Sequence, residues 1–357
     1  MHPLAPLAAL ALLLAAAIAQ EPQPFLLGNR LLDGKELKEV ATLPPGAIAR
    51  PQWRADGTAH HAAGLVDPAR RLLLAADAKE LRLLRIGGDV AWQQPLAEVR
   101  LQDPVLLPKA VLGRDIAVIP DHDGHLTGIG LGDGTLRWRS KTNGLTDPVA
   151  DSELVAALAT DQGVRRLRAF ALGNGAPAFD QPVPKDANFV TLGPHGIVAG
   201  GPGGAIVLAR GGPKLFAIAA PVRQALADAS GYYLLLDAEV VAFDRNGKER
   251  WRRPEAHGHF DCARLAFGTS GYVLVVRFHR MADDGARVVA LDPEAGEVVW
   301  QRELPPLGVD HSKYWHEVVA YSRGDAVAIA SHAAGGQWLA VLGGSDGEVR
   351  QRVTFQN

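Results

Sequence analysis

Short apolar or alternating runs recur along almost the whole chain, and each run ends at glycine, asparagine or aspartate. Typical runs are Gly271–Arg277 (GYVLVVR), Gly231–Asp237 (GYYLLLD) and Glu239–Asp244 (EVVAFD). Short runs rich in Val, Leu and aromatic residues indicate β-strands, and the Asp-Gly and Asn-Gly pairs between them indicate tight hairpin turns, where positive φ costs little. Helical periodicity is absent after the first twenty residues. The pattern predicts an all-β protein.

One phrase returns throughout: an apolar strand, a turn containing glycine, and a strand with an aromatic residue. Its clearest copy is DPEAGEVVWQREL, Asp292–Leu304. The aromatic anchors are Trp92, Trp138, Phe179, Phe216, Trp251 and Trp300, with Arg350 in the equivalent place of the last copy. Their spacings are 46, 41, 37, 35, 49 and 50 residues, with an average of 43. A period of this length, with about four strands in each repeat, indicates a β-propeller.

The repeats predict four-stranded antiparallel blades. We name the strands of each blade A to D from the axis outwards, with the aromatic anchor on strand D, where it covers the seam between two blades. Seven full sets run from near His60 to near Phe355. A further copy, LLDGKELKEV (Leu31–Val40), precedes them and indicates a partial or eighth blade, which is expected to close the ring by pairing with the last blade. We predict seven blades, with eight as the alternative.

Three segments carry a resemblance to a known family. VVALDPEAGEVVWQ, VVAFDRNGKERWRR and LTGIGLGDGTLRWRS resemble the PQQ-like repeat of quinoprotein-type β-propellers, and the resemblance extends from about Leu26 to the C-terminus. It implies either a non-catalytic periplasmic scaffold of the outer-membrane assembly factor B type or a PQQ-dependent alcohol dehydrogenase. The dehydrogenases of this family carry a pair of adjacent cysteines. Cys262 is the single cysteine of this chain, so the resemblance favours the scaffold.

The N-terminus and the charge suggest where the protein works. The apolar run Leu7–Ile18 and the small residues up to Ala19 predict a signal peptide over residues 1–19, cleaved before Gln20, and one propeller domain over residues 20–357. The net charge is −2, and scattered Lys and Arg argue against nucleic-acid binding. We expect a periplasmic or secreted monomer without a transmembrane segment in the mature chain.

Histidine and aspartate gather on one predicted face of the disc. Because antiparallel strands alternate in direction, D–A connections and B–C loops emerge on the same face. The candidate ligand-binding residues at this channel mouth are His60, His61, Asp103, Asp147, His259, Asp261, His279 and His316. Within His257-Gly-His259-Phe-Asp261, the imidazole and carboxylate groups are suited to Zn, Cu or Ni. The alternative is that polar residues collect there because the longer loops do.

Three further segments have two interpretations each. The insertion Pro305–His316 holds Tyr314 and Trp315, which are candidates for partner contact or for packing over the neighbouring blade. The motif Gly343–Gly347 (GGSDG) fits a nucleophile elbow but is predicted to be a C–D turn. The segment Asp121–His125 (DHDGH) resembles a metal site but is predicted to be a B–C hairpin turn.

The sequence favours an exported, non-catalytic propeller that binds another protein, a ligand or a cell-envelope component, and that needs no cofactor. The alternative is a metal- or cofactor-dependent enzyme, either a quinoprotein-like oxidoreductase or a hydrolase, that uses the His/Asp face. PQQ or a divalent metal would belong to that second interpretation.

Overall fold

The computed structural model describes most of the chain. The described residues are 25–27, 30–33, 36–42, 52–53, 59–61, 64–67, 72–76, 79–85, 89–101, 111–113, 115–121, 123–142, 148–237, 239–254, 262–268, 271–279, 285–305, 317–323, 326–333 and 336–356. Within these ranges the regular structure is entirely β, apart from isolated turns. The prediction of an all-β fold is confirmed.

Five strands precede the repeating units: β1 (Phe25–Leu27), β2 (Arg30–Leu32), β3 (Glu39–Thr42), β4 (Gln52–Trp53) and β5 (Ala59–His61). Unit 1 contains β6 (Gly64–Asp67), β7 (Leu72–Ala76), β8 (Glu80–Arg85) and β9 (Val90–Pro95). Unit 2 contains β10 (Val111–Leu112), β11 (Ile116–Pro120), β12 (His125–Gly130) and β13 (Leu136–Lys141). Unit 3 contains β14 (Val149–Ala150), β15 (Leu154–Asp161), β16 (Val164–Ala171) and β17 (Pro177–Pro182).

Unit 4 contains β18 (Phe189–Leu192), β19 (Gly196–Gly201), β20 (Gly204–Ala209) and β21 (Lys214–Ile218). Unit 5 contains β22 (Val222–Ala227), β23 (Gly231–Leu236), β24 (Glu239–Asp244) and β25 (Glu249–Pro254). Unit 6 contains β26 (Cys262–Phe267), β27 (Val273–Phe278), β28 (Ala286–Leu291) and β29 (Val298–Leu304). Unit 7 contains β30 (Glu317–Arg323), β31 (Ala326–Ala333), β32 (Gly336–Gly343) and β33 (Val349–Gln356).

The seven units are antiparallel sheets arranged around an axis. Units 2 to 7 are four-stranded sheets in chain order, and unit 1 is continued on its inner edge by β5 and β4. The first strands of successive units contact one another from β10 to β30, β6 contacts β10, and β4 contacts β30. The short strands A therefore line the centre, and the β4–β5 hairpin joins unit 1 to unit 7. The prediction of about seven four-stranded blades is confirmed.

Aromatic anchors on strand D fasten one unit to the next. The indole N–H groups of Trp138, Trp251 and Trp300 donate hydrogen bonds to backbone carbonyls in the C–D turn of the following unit, at 2.8, 2.9 and 2.9 Å. Trp92 does the same to Leu131 at 2.8 Å. Each bond satisfies the polar end of a large apolar side chain, so the ring covers the seam without leaving a buried donor unpaired.

The anchor of unit 7 differs from the sequence prediction by one residue. Trp300 pairs with Ala290, and the corresponding partner of Val341 in unit 7 is Gln351, not Arg350. The prediction that Arg350 takes the anchor position is therefore wrong. The sequence alignment was one residue out because strand D of unit 7 has no aromatic residue at the anchor position. The strand register, which shifts between Val341 and Leu342, identifies that position as Gln351.

The N-terminal strands form a partial unit beside unit 7. In β1–β3 the register shifts between Leu31 and Leu32, as it does between Ala290 and Leu291 in unit 6, so β2 and β3 reproduce strands C and D. The segment forms its own three-stranded sheet and packs on unit 7 through side chains, so the expected strand pairing with the last blade is not seen in the described residues. The guanidinium of Arg30 lies 4.5 Å from the ring centroid of Phe355.

At this last seam both the aromatic anchor and the turn glycine are replaced by other residues. In units 2 to 7 a glycine precedes strand D and contacts the anchor of the unit before it. Leu37 occupies that place in the partial unit, at φ 56°, and its buried side chain packs in a cluster with Val341. Because unit 7 has Gln351 in place of an aromatic residue, we infer that the turn supplies the large apolar group at this seam.

An ion pair between Asp151 of unit 3 and Arg210 of unit 4 should make the stability of the fold sensitive to acid. Burial opposes ionisation of Asp151, but hydrogen bonds from Arg210 at 2.7 Å and from the N–H groups of Glu153 and Leu154 outweigh it, so the pKa of Asp151 lies below its ordinary value. A carboxylate whose folded pKa is lowered stabilises the fold above about pH 5, and this stabilisation is lost as the pH falls through the folded pKa. Asp151→Asn should lower the free energy of unfolding at pH 7 and flatten its acid slope.

Denaturant unfolding from pH 7 to pH 2 measures that slope. Arg210→Gln removes the same pair from the other side and should flatten the slope in the same direction. An unchanged slope in both variants would show that this ion pair does not contribute to the acid sensitivity of the fold.

Candidate functional face

Two faces of the disc differ in the chemistry of their connections. On one face, several of the described A–B and C–D turns share a feature, an aspartate or asparagine that accepts backbone N–H groups two to four residues later, as Asp244 and Asp292 do. The other face carries the B–C hairpins and the D–A connections, whose sequences differ from unit to unit. We call this second surface the loop face. Because its loop sequences differ from unit to unit, the loop face is the candidate surface for binding a partner or ligand.

Asp121 organises the B–C hairpin of unit 2. Its carboxylate is 1% exposed and accepts hydrogen bonds from Arg139 Nη2 at 2.6 Å and from the backbone N–H of His125 at 3.0 Å. Asp123, in the same turn, is exposed and lies 3.8 Å from the same guanidinium. The oxygens of Asp121 are thus directed inwards, onto Arg139 and the turn. The prediction of a hairpin turn over residues 121–125 fits this geometry.

A charged network continues from unit 2 into unit 3. Arg168 donates to the carbonyl of Thr142 at 2.6 Å, to Asp161 at 2.8 Å and to Asp180 at 3.1 Å. Burial lowers the pKa of Arg168, but the hydrogen bonds to Asp180 and Asp161 outweigh this effect and raise the pKa above its ordinary value. Arg166 holds the second oxygen of Asp180 at 2.6 Å. These contacts fix strand C of unit 3 to the connection that leaves unit 2.

Two of the described D–A connections, those into units 3 and 4, are also held by hydrogen bonds to hairpins. Thr142 donates its N–H and its hydroxyl to the carbonyl of Gly124, at 2.7 and 2.9 Å. The N–H of Asn188 donates to Gly200 at 2.8 Å, and Arg165 donates to the carbonyl of Ala187 at 3.1 Å. The backbone of these loops is therefore set before any partner arrives, which lowers the entropic cost of binding.

A crevice between units 5 and 6 is lined in part by arginines. Its lining includes Arg253, Arg277 and Arg287. Sequence reasoning weighed histidine and aspartate and missed these arginines. A signal was present, because Arg277 and Arg287 stand at the ends of two otherwise apolar strands, on either side of the B–C loop of unit 6.

The structure describes only three of the eight residues predicted to bind a ligand at the channel mouth. His60 and His61 lie in β5, where His60 pairs with Gln52 and Leu65. His279 is partly buried and follows β27 at the start of a B–C loop. The other predicted residues fall outside the described residues: Asp103, Asp147, His257, His259, Asp261, Tyr314, Trp315 and His316. Their roles in ligand, metal or partner binding stay predictions.

In the part of the chain that the structure describes, no three His, Cys, Asp or Glu side chains are grouped closely enough to hold a metal ion. The same described residues include no helix long and apolar enough to cross a membrane.

Comparison with known proteins gives the same architecture. A PQQ-like family model, described as outer membrane protein assembly factor BamB, matches residues 236–351. BamB from Moraxella catarrhalis is 16% identical over 87% of this chain and 91% of its own, with a TM-score of 0.51. Hsv2 from Kluyveromyces lactis, with its complete loop 6CD, is 12% identical over 85% and 97%, with a TM-score of 0.51.

A europium-containing methanol dehydrogenase is 11% identical over 86% of this chain and 80% of its own, with a TM-score of 0.53. No curated protein matches the chain. At these identities the structural likeness shows the fold and leaves the activity open, because one fold serves unrelated functions.

Proposed function

We propose that this β-propeller, whose residues 236–351 match a PQQ-like family model, is an exported, non-catalytic scaffold that binds another protein of the cell envelope through its loop face. The observation that carries the proposal is the fixed polar surface of units 2 to 4. There, loops are hydrogen-bonded to hairpins, and one arginine joins two units. A surface ordered in this way binds with little loss of conformational freedom.

The family comparison supports the choice of partner. The matching family model is described as an outer-membrane protein assembly factor, and BamB shares the fold over most of both chains. A protein that assists assembly needs a stable surface and no reaction centre. The predicted signal peptide over residues 1–19 agrees with a location outside the cytoplasm.

Site-specific photo-crosslinking in cells tests the proposal. A photoreactive amino acid is introduced into the full-length chain at Asp123 or Lys185, which are exposed on the loop face, and at Asn174 or Glu294, which are exposed in C–D turns on the opposite face. We expect the two loop-face positions to crosslink to one common partner. After its identification by mass spectrometry, the purified partner should bind the purified scaffold.

The opposite-face positions serve as matched controls, since they have similar exposure on the same rigid disc. Equal crosslinking from both faces, or crosslinking from the C-D turns alone, would contradict a partner on the loop face. Loss of purified binding after Asp123→Arg, with an unchanged melting temperature, would support it.

A further inference from the structure

The outer strand of unit 4 has an exposed edge with little charge. Strand D is the last strand of each sheet, so its outer edge faces away from the centre of the disc. In the six other units strand D contains a charged residue or a proline after its first position, and such residues hinder pairing with another chain. In unit 4, β21 (Lys214–Ile218) contains neither after Lys214. This strand is therefore the outer edge that is least protected against pairing.

The exposed side chains of this segment are apolar. Leu215 is 41% exposed, and Ala217 and Ala219 are exposed at alternate places along the chain. Phe216 and Ile218 lie between them and pack in the seam with unit 5. The exposed row thus consists of one large and two small apolar side chains. An edge strand of this kind is a template for another strand.

The hydrogen-bond pattern turns the backbone of Ala217 outwards. The N–H of Ala209 donates to the carbonyl of Pro213, so the backbone groups of Ala209 point towards strand D. This direction alternates along an antiparallel strand, so Val207, two residues earlier, points the same way, and its partner Phe216 points back at it. Ala217, the next residue of β21, therefore directs its N–H and C=O away from the sheet, where no strand of the described residues pairs with it.

Two prolines limit the length of this edge symmetrically. Pro213 and Pro221 lie four residues before and four residues after Ala217. Proline has no N–H to donate, so a second strand can pair only with the segment between the two prolines. Ala217 is the midpoint of that segment, so the segment matches a reversed copy of itself. In an antiparallel pair with two-fold symmetry, Ala217 lies opposite Ala217, and Leu215 lies opposite Ala219.

We propose that two copies of the protein pair through this edge as an antiparallel homodimer. Two hydrogen bonds would join Ala217 of one copy to Ala217 of the other, and Leu215 would pack on Ala219. Lys214 would lie opposite Ala220, so no like charges are opposed. A two-fold interface uses the same patch on both subunits, and the symmetrical segment therefore favours a second copy over an unrelated strand. Such a dimer would replace the monomer expected from the sequence.

The proposed dimer is independent of the proposed scaffold function and leaves the loop face uncovered. Antiparallel pairing of the two outer strands reverses one disc relative to the other, so the two loop faces would point to opposite sides. A single pair of short strands is expected to bury less than the roughly 1,200 Å² of stable complexes, so the dimer should be weak and reversible. Two loop faces on one particle would allow two partners to be bound together.

Sedimentation velocity of the purified protein between about 1 µM and 1 mM tests the dimer. We expect the average mass to rise with concentration towards that of two chains. Ala217→Lys would place two ammonium groups opposite each other and should weaken dimerisation by about tenfold or more, with an unchanged melting temperature. Val299→Lys is the matched control, because Val299 is 42% exposed on strand D of unit 6, and this variant should dimerise as the wild type does.

A wild type that stays monomeric over this range would overturn the proposal. Equal dimerisation of the wild type and Ala217→Lys, or equal weakening by Ala217→Lys and Val299→Lys, would also overturn it, because the contact would then lie elsewhere.

Cysteine crosslinking in a Cys262→Ala background tests the register. Opposite Cα atoms of a hydrogen-bonded pair lie about 5.5 Å apart, which a disulfide can bridge, so Ala217→Cys should form a covalent dimer on oxidation. Leu215→Cys should not, because the two substituted positions would be separated by four residues, about 13 Å, along the ladder. Equal crosslinking at the two positions would overturn the symmetrical pairing. Capture of a different protein by a photoreactive residue at Ala217 would assign the edge to that protein and overturn the homodimer, while leaving the scaffold function of the loop face intact.

Discussion

Replacing Gly296 with alanine should destabilise the protein by about 3 kcal/mol. Gly296 has a φ of 72°, a left-handed conformation that costs a residue with a side chain about 1–2 kcal/mol. An added Cβ would also lie 2.6 Å from Cδ2 of Trp251. That indole is 9% exposed and is pinned by its hydrogen bond to Pro293, so overpacking should add about 1–3 kcal/mol. Denaturant unfolding measures the change.

Gly163→Ala separates the two contributions. Gly163 has a φ of 80°, but a Cβ added there would meet no atom within 4 Å. Its substitution should cost only about 1 kcal/mol, from the backbone alone. In a Trp251→Ala background, Gly296→Ala should fall to the same value, because the obstacle has gone. If Gly296→Ala and Gly163→Ala lowered the free energy of unfolding equally in the wild-type background, the Trp251 indole would have moved to accommodate the new Cβ, and the seam would be loosely packed.

This seam explains why so much of the fold could be predicted. The aromatic residue and the turn glycine that receives it are complementary, so the packing of one blade on the next leaves a periodic mark in the sequence. Trp251 and Gly296 are one such pair, and Trp300 and Gly347 are the next. At the last seam, Gln351 takes the place of the aromatic residue and Leu37 takes the place of the glycine, so the periodic pattern is absent there. The prediction was wrong by one residue at the anchor of unit 7, and it expected the partial N-terminal unit to pair with the last blade, whereas β1–β3 form a separate sheet.

The loop face was harder to predict because its contacts have no period. Histidine is conspicuous in a sequence, whereas Arg277 and Arg287 become neighbours only through the strand register, and Arg253 joins them only through the packing of unit 5 on unit 6. Likewise, Arg168 on β16 binds Asp161 on the preceding strand and Asp180 on the following strand. Such contacts depend on register and on the seam between units, which composition and spacing do not contain.

Asp121→Ala should lower the free energy of unfolding by about 2–3 kcal/mol and should also disturb the loop face. The substitution removes the acceptor for Arg139 and for the N–H of His125. Losing one partner of a buried ion pair typically costs 3–5 kcal/mol, and the 23% exposure of the Arg139 side chain lets water recover part of that cost. Asp121→Asn, which keeps an oxygen for the N–H of His125, should cost less. Denaturant unfolding measures both variants.

Asp123→Ala is the matched control, since the same kind of residue in the same turn faces the same arginine from 3.8 Å. Asp123 has 47% side-chain exposure, and exposed ion pairs contribute about 0–1 kcal/mol, so this variant should be nearly as stable as the wild type. Near-equal losses for the two aspartates would mean that burial does not separate their roles. If Asp121→Ala instead left stability unchanged and abolished binding of a divalent metal, residues 121–125 would be a metal site and the hairpin interpretation would be wrong.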